Sequence, residues 1–161
     1  MIKLILILLY GVRLVSNVIV PGLFEYPVVQ QGGNPYYVSN KEDVITQFGI
    51  VKAYGLLAHN YLVGEEFFDI EIGQSVILEF TDGTSEEFKV TKIEDFQWLS
   101  VWEYKRLSNG EILSDLEIYD ETYNRKGDVV FQTCIEKDGI KSWGLRFIIA
   151  VPLIERKYEY E

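Results

Sequence analysis

The sequence predicts an all-β domain, and three observations carry the prediction. Aromatic residues make up 14% of the chain, with eleven tyrosines, and tyrosine suits the pleated, half-buried surface of a sheet. Short apolar or alternating runs recur at intervals of about ten residues, separated by Gly, Pro, Asn and Asp, the spacing of a barrel or sandwich. One pair of runs is a hairpin by its turn: residues 76–80 and 87–93 flank Thr81-Asp82-Gly83-Thr84, where glycine accepts the positive φ that a tight turn needs. A length of 161 residues, 48% of them hydrophobic, suits one domain with a real core. No repeat or low-complexity tract divides it.

Residues 1–20 are an apolar N-terminal segment with one early Lys3, interrupted by Gly11, Arg13, Ser16 and Asn17. A secretion signal, a single membrane anchor and a first strand all fit this pattern. An arginine within a spanning helix costs about 2.5–3.5 kcal/mol, and residues 12–20 serve as a barrel strand under any of the three. Residues 26–30 are extended, and the Gly- and Pro-containing stretch after them is a loop. Residues 41–48 read as one or two helical turns, capped by Ser39 or Asn40 and ended by Gly49. Residues 50–60 form a strand buried on both faces. Past the hairpin, residues 114–119 make a short capped helix. Residues 129–135 and 143–151 are two further strands joined by Glu136-Lys137-Asp138-Gly139. The barrel domain is expected over residues 21–154, with a charged tail over 155–161.

The balance of 15 Lys and Arg against 25 Asp and Glu gives a net charge of −10. Nucleic acid is therefore not an expected partner, because phosphate neutralisation needs clustered cations. A single cysteine excludes an intramolecular disulfide and a multi-thiolate zinc site. Asp115, Glu117, Asp120 and Glu121 are an acidic cluster that reads as a solvated face. No metal and no cofactor is expected.

Three residues carry chemistry. Cys134 lies near the end of a strand in which Val130, Gln132 and Cys134 share one face and Val129, Phe131 and Thr133 the other. Read alone, it is either a nucleophile or a small buried hydrophobe. His59, the only histidine, ends another strand and is either a proton carrier or a hydrogen-bonded surface residue. Arg146 is a lone charge in the apolar run 143–151, twelve residues beyond Cys134. It could stabilise an oxyanion or simply face outward. Together they could converge from three strand ends at one rim, the layout that nucleophilic catalysis needs: a nucleophile, a proton carrier and an oxyanion stabiliser.

The order His, Cys, Arg, each on its own strand, resembles the sortases. Gln132-Thr133-Cys134 is similar to their Thr-Cys nucleophile pattern, Arg146 follows on the next strand, and Ala58-His59-Asn60 is similar to their His-Asn pattern. The resemblance covers residues 26–152. It implies a closed barrel of about eight strands with one or two short helices. It also implies a cysteine transpeptidase, with a C-terminal sorting signal of a surface protein as donor and an amine as acceptor, such as a cell-wall precursor or a pilin-like protein. Cys134 would form a thioester, His59 would move protons and Arg146 would hold the oxyanion, while Thr133 and Asn60 would flank the substrate. The expected location is extracytoplasmic, at the cell surface or secreted, with a possible anchor in the N-terminal segment. Three alternatives stand beside it. One is a cysteine peptidase with water as acceptor; another is a non-catalytic sortase-fold module that binds peptide or glycan. The third is an unrelated secreted barrel with Trp98, Trp102, Tyr104 and Tyr119 along a ligand groove.

Overall fold

The structure, a computed structural model, describes residues 13–49 and 51–153. The readings of signal or anchor for residues 1–12 and of a charged tail for 155–161 lie outside these. Ten strands form one sheet: β1 (Val15–Val20), β2 (Phe24–Gln30), β3 (Ile45–Phe48), β4 (Tyr54–Leu57), β5 (Ser75–Phe80), β6 (Ser85–Ser100), β7 (Glu103–Arg106), β8 (Ile112–Ser114), β9 (Val129–Lys137) and β10 (Ile140–Pro152). The order β10-β9-β4-β3-β2-β1-β5-β6 closes on itself because β6 also pairs with β10. The result is a closed eight-stranded barrel, with β7 and β8 extending from β6 as a flap. Two ladders are parallel, β2 with β3 and β4 with β9; the others are antiparallel. Among the described residues a 3₁₀ helix (Val63–Asp69) and one α-helix, α1 (Asp115–Glu121), accompany the strands. No helix among the described residues is long and apolar enough to cross a membrane.

Closure removes the sheet's free edges and creates two apolar clusters on opposite faces of the wall. The barrel interior holds Val129 and Phe131 of β9 with Phe67, Phe88 and Ile148. Outside, Val130 packs with Phe96, Phe147, Ile149 and Tyr123 beneath the flap and α1. The alternation predicted for residues 129–134 is thus realised, with both faces covered. Burial of the Tyr123 ring lifts its hydroxyl above the ordinary tyrosine range, and that hydroxyl donates to Gln132.

The strands at 76–80, 87–93, 129–135 and 143–151 form where expected, and α1 carries the expected cap. Ser114 Oγ accepts from the Glu117 amide at 3.2 Å, and the Glu117 carboxylate accepts from the Ser114 amide at 2.8 Å. Residues 41–48 differ. They turn into strand β3 and not a helix, because Ile45, Thr46 and Gln47 pair with Val28, Val29 and Gln30 of β2, and β-branched side chains suit that ladder. Gln47, 2% exposed, accepts from the Val15 amide at 2.8 Å and from Gln30 at 2.7 Å, and donates to the Arg13 carbonyl at 3.0 Å. A helix would leave those backbone groups of the β1 segment unsatisfied. The strand predicted at 50–60 is shorter, only Tyr54–Leu57, since the Lys52 and Ala53 amides bond instead to the Tyr123 carbonyl.

Candidate functional site

Three adjacent strands, β4, β9 and β10, bring the positions of His59, Cys134 and Arg146 to one end of the barrel. Leu57 of β4 lies opposite Gln132 of β9, and the Ala58 amide donates to the Gln132 carbonyl at 3.3 Å. His59 therefore follows at the level of Thr133 and Cys134. On the other side of β9, Leu145 lies opposite Cys134 and Arg146 opposite Thr133.

Directly opposed residues of an antiparallel pair share a face. Arg146 therefore leaves the ladder on the face of Thr133, and Cys134 leaves on the face of Leu145, toward the outer cluster. The thiol is half-buried there, beside Ser142 and near Tyr104. Burial pushes its pKa up, and a hydrogen bond with Ser142 acts in the opposite direction. Burial is the larger of the two effects and disfavours the thiolate.

Thr133 is 2% exposed. Its hydroxyl faces inward and donates to the Ala58 carbonyl at 2.9 Å, tying β9 to the residue before His59. Gly64 closes the same knot. A Cβ there would lie 2.4 Å from Thr133 Oγ1 and 2.6 Å from the carbonyl oxygens of both Ala58 and His59, so only glycine fits. The Gly64 and Leu62 amides donate to the His59 carbonyl, each at 3.0 Å. The His59 ring stacks on Tyr61, with centroids 5.0 Å apart and planes 12° apart. Asn60 sits half-buried in the turn between them.

Arg146 is held on two sides. Nε and Nη2 donate to the two carboxylate oxygens of Asp95, each at 2.8 Å, and the guanidinium lies over the Phe68 ring at 4.5 Å from its centroid. The bonds to Asp95 keep its pKa raised, against a smaller opposing effect of burial. Asp95 escaped sequence reasoning because it is one acid among several in a polar stretch. The available signal was indirect: a lone cation in an apolar strand needs a partner across the ladder, and register alone says which residue that is.

The acidic cluster is spent locally. Glu117 closes the α1 cap, Asp120 accepts from Asn124 at 3.1 Å, and Glu121 pairs with Arg106 at 2.7 Å. Among the described residues no group of three or more His, Cys, Asp or Glu is placed to hold a metal. Trp98 and Trp102, at the tip of the β6–β7 hairpin, are 48% and 67% exposed, whereas Tyr104 and Tyr119 pack against the outer cluster.

No protein-family model matches the sequence, and no curated protein does. Solved structures do match. The chain is similar to sortase C1 of GBS pilus island 1, with a TM-score of 0.57 and 14% identity over 86% of this chain and 65% of that one. It is similar to sortase C1 from Streptococcus suis, with a TM-score of 0.59 and 11% identity over 98% of this chain and 82% of that one. For sortase A from Corynebacterium diphtheriae the TM-score is 0.60 and the identity 10%, over 92% of this chain and 65% of that one. The chain thus spans under two thirds of the length of two of these proteins. At such identities the likeness establishes the fold: this is a sortase barrel.

Proposed function

We propose that the chain is a cysteine transpeptidase of the sortase type, acting outside the cytoplasm on a peptide sorting signal. The observation that carries this reading is that the His59, Cys134 and Arg146 positions lie at one level, at the same end of three neighbouring strands of a sortase barrel. In the proposed reaction His59 takes the Cys134 proton as sulfur attacks a backbone carbonyl of the donor. The developing oxyanion is held by Arg146. His59 returns the proton to the departing amine, leaving a thioester on Cys134. An incoming amine then attacks the thioester, its proton passes through His59 to the sulfur, and a new amide forms. Because burial disfavours the thiolate, the proton carrier assists attack, and in this reading substrate reaches sulfur on the outer face while its carbonyl oxygen points across the strand end toward Arg146. Asn60 flanks this path, whereas Thr133, buried and bonded to the Ala58 carbonyl, acts by fixing the His59 loop.

The test is a pool of extended peptides with hydroxylamine as a generic amine. The reading predicts peptide hydroxamates formed by the wild-type chain and not by Cys134→Ala; free peptide acids alone would make it a peptidase with water as acceptor. A second reading, a peptide- or glycan-binding module on the same barrel, is favoured by one feature: Asp95 already neutralises the Arg146 charge. It predicts peptide or glycan binding that survives Cys134→Ala, with no cleavage by either protein.

A further inference from the structure

We infer that Asp95 is a positioning residue for Arg146 in acyl transfer, fixing which guanidinium nitrogen meets the oxyanion; this rests on the transpeptidase reading above. Asp95 lies directly opposite Arg146 in the β6–β10 ladder, so backbone register and not side-chain chance sets their approach. The two parallel bonds, each 2.8 Å, form the fork-to-fork geometry that fixes rotation within the guanidinium plane. The Phe68 ring, 4.5 Å away, covers one face of that plane and fixes its tilt. Nη1 is the nitrogen that neither of these bonds uses. The clamp therefore leaves it as the donor for the oxyanion, and the Arg146 and Asp95 side chains keep 19% and 26% of their surface exposed.

The arrangement suits electrostatic catalysis, since a donor held before reaction costs no reorganisation as charge develops. It also explains how an acid can sit beside an oxyanion stabiliser without cancelling it. Asp95 engages the side of the guanidinium remote from Nη1, and the fork leaves the N–H groups of that third nitrogen unengaged by Asp95. Phe68 comes from the 3₁₀ helix that begins four residues beyond His59, so one short segment places the proton carrier and one wall of the clamp.

The test compares wild type, Asp95→Asn, Asp95→Glu, Arg146→Lys and the double variant Asp95→Asn/Arg146→Lys in the full chain. The acyl donor is p-nitrophenyl acetate, which needs no sorting signal: sulfur takes the acetyl group and p-nitrophenolate leaves. The positioning role predicts that Asp95→Asn lowers the burst rate about tenfold or more at saturating donor, with KM little changed. It also predicts partial rescue in Asp95→Glu and no further loss when Asp95→Asn is added to Arg146→Lys. In nitrogen-15 spectra the Arg146 Nε–H signal should be shifted and slow to exchange in wild type, and lose both properties in Asp95→Asn. An unchanged signal would overturn the clamp. A changed signal with an unchanged burst, or fully additive losses, would overturn its role in the chemistry. A wild-type chain without a burst would sink the acyl-transfer reading itself, and the role of Asp95 with it, and that failure is visible before any Asp95 variant is made.

Discussion

The proposed nucleophile, Cys134, is one sulfur whose surroundings disfavour its charge. Burial raises its pKa, so alkylation by iodoacetamide should rise with pH through a midpoint above that of a free cysteine, about 8.5. A midpoint near or below pH 7 would mean that a cation reaches the thiolate in the resting state. The strand alternation around Cys134 was legible because period two is local to the chain. The contacts of Thr133 and Arg146 were not, since each depends on a residue distant in sequence, Ala58 just past β4 or Asp95 in β6, at a register no single sequence states. Gly64 shows the same limit. It reads as a turn glycine, yet what requires it is the crowding of Thr133 Oγ1 and two carbonyl oxygens. Gly64→Ala should cost about 1–3 kcal/mol and slow acyl transfer by displacing His59. Unchanged thermal stability and activity would show that the knot is loose.

At the scale of elements, the segments with strong local signals formed as read: the Asp82-Gly83 hairpin and the Ser114–Glu117 capping box. Residues 41–48 did not, because a cap-like Ser39 and two early acids imitate a helix start, while the decisive partner is β2. Gln47 is the physical arbiter there, since it satisfies backbone groups around the start of β1. Replacing it by leucine, of similar volume, should leave the Val15 amide without its partner and cost about 1–3 kcal/mol, measured as a shift in denaturant midpoint. A neutral result would mean that water enters and replaces the amide. The strands β7 and β8 escaped reading because both are short and outside the closed barrel, and β7 is largely charged.

The whole molecule is a barrel with a flap, and the flap is fastened by a charge network. Arg106, 6% exposed, lies over Phe96 at 5.1 Å from its centroid and pairs with Glu94, Glu111 and Glu121 at 2.9, 3.1 and 2.7 Å. Although burial opposes its charge, these carboxylates hold its pKa above the ordinary arginine value. Arg106→Ala strands buried acid on β6 and releases α1, at a cost of about 3–5 kcal/mol, with faster hydrogen exchange in α1 and β8 as the local signature. Exchange rising uniformly over the barrel would contradict the view of the flap as a separately fastened layer. The barrel's existence was readable from strand spacing and from the resemblance carried by His59, Cys134 and Arg146. Its closure followed from the same resemblance; that β6 and β10 are the strands that close it did not, since that ladder joins strands far apart in sequence.

The central claim is that Cys134 accepts an acyl group with help from His59. Intact-protein mass spectrometry after brief exposure to p-nitrophenyl acetate tests it most directly, comparing wild type, Cys134→Ala and His59→Ala. The account predicts one acetyl group on wild type, mapped to Cys134 and released by hydroxylamine. It predicts none on Cys134→Ala and much slower acetylation of His59→Ala. Equal acetylation of wild type and His59→Ala, or an adduct that maps elsewhere, would contradict it and leave the barrel as a binding module.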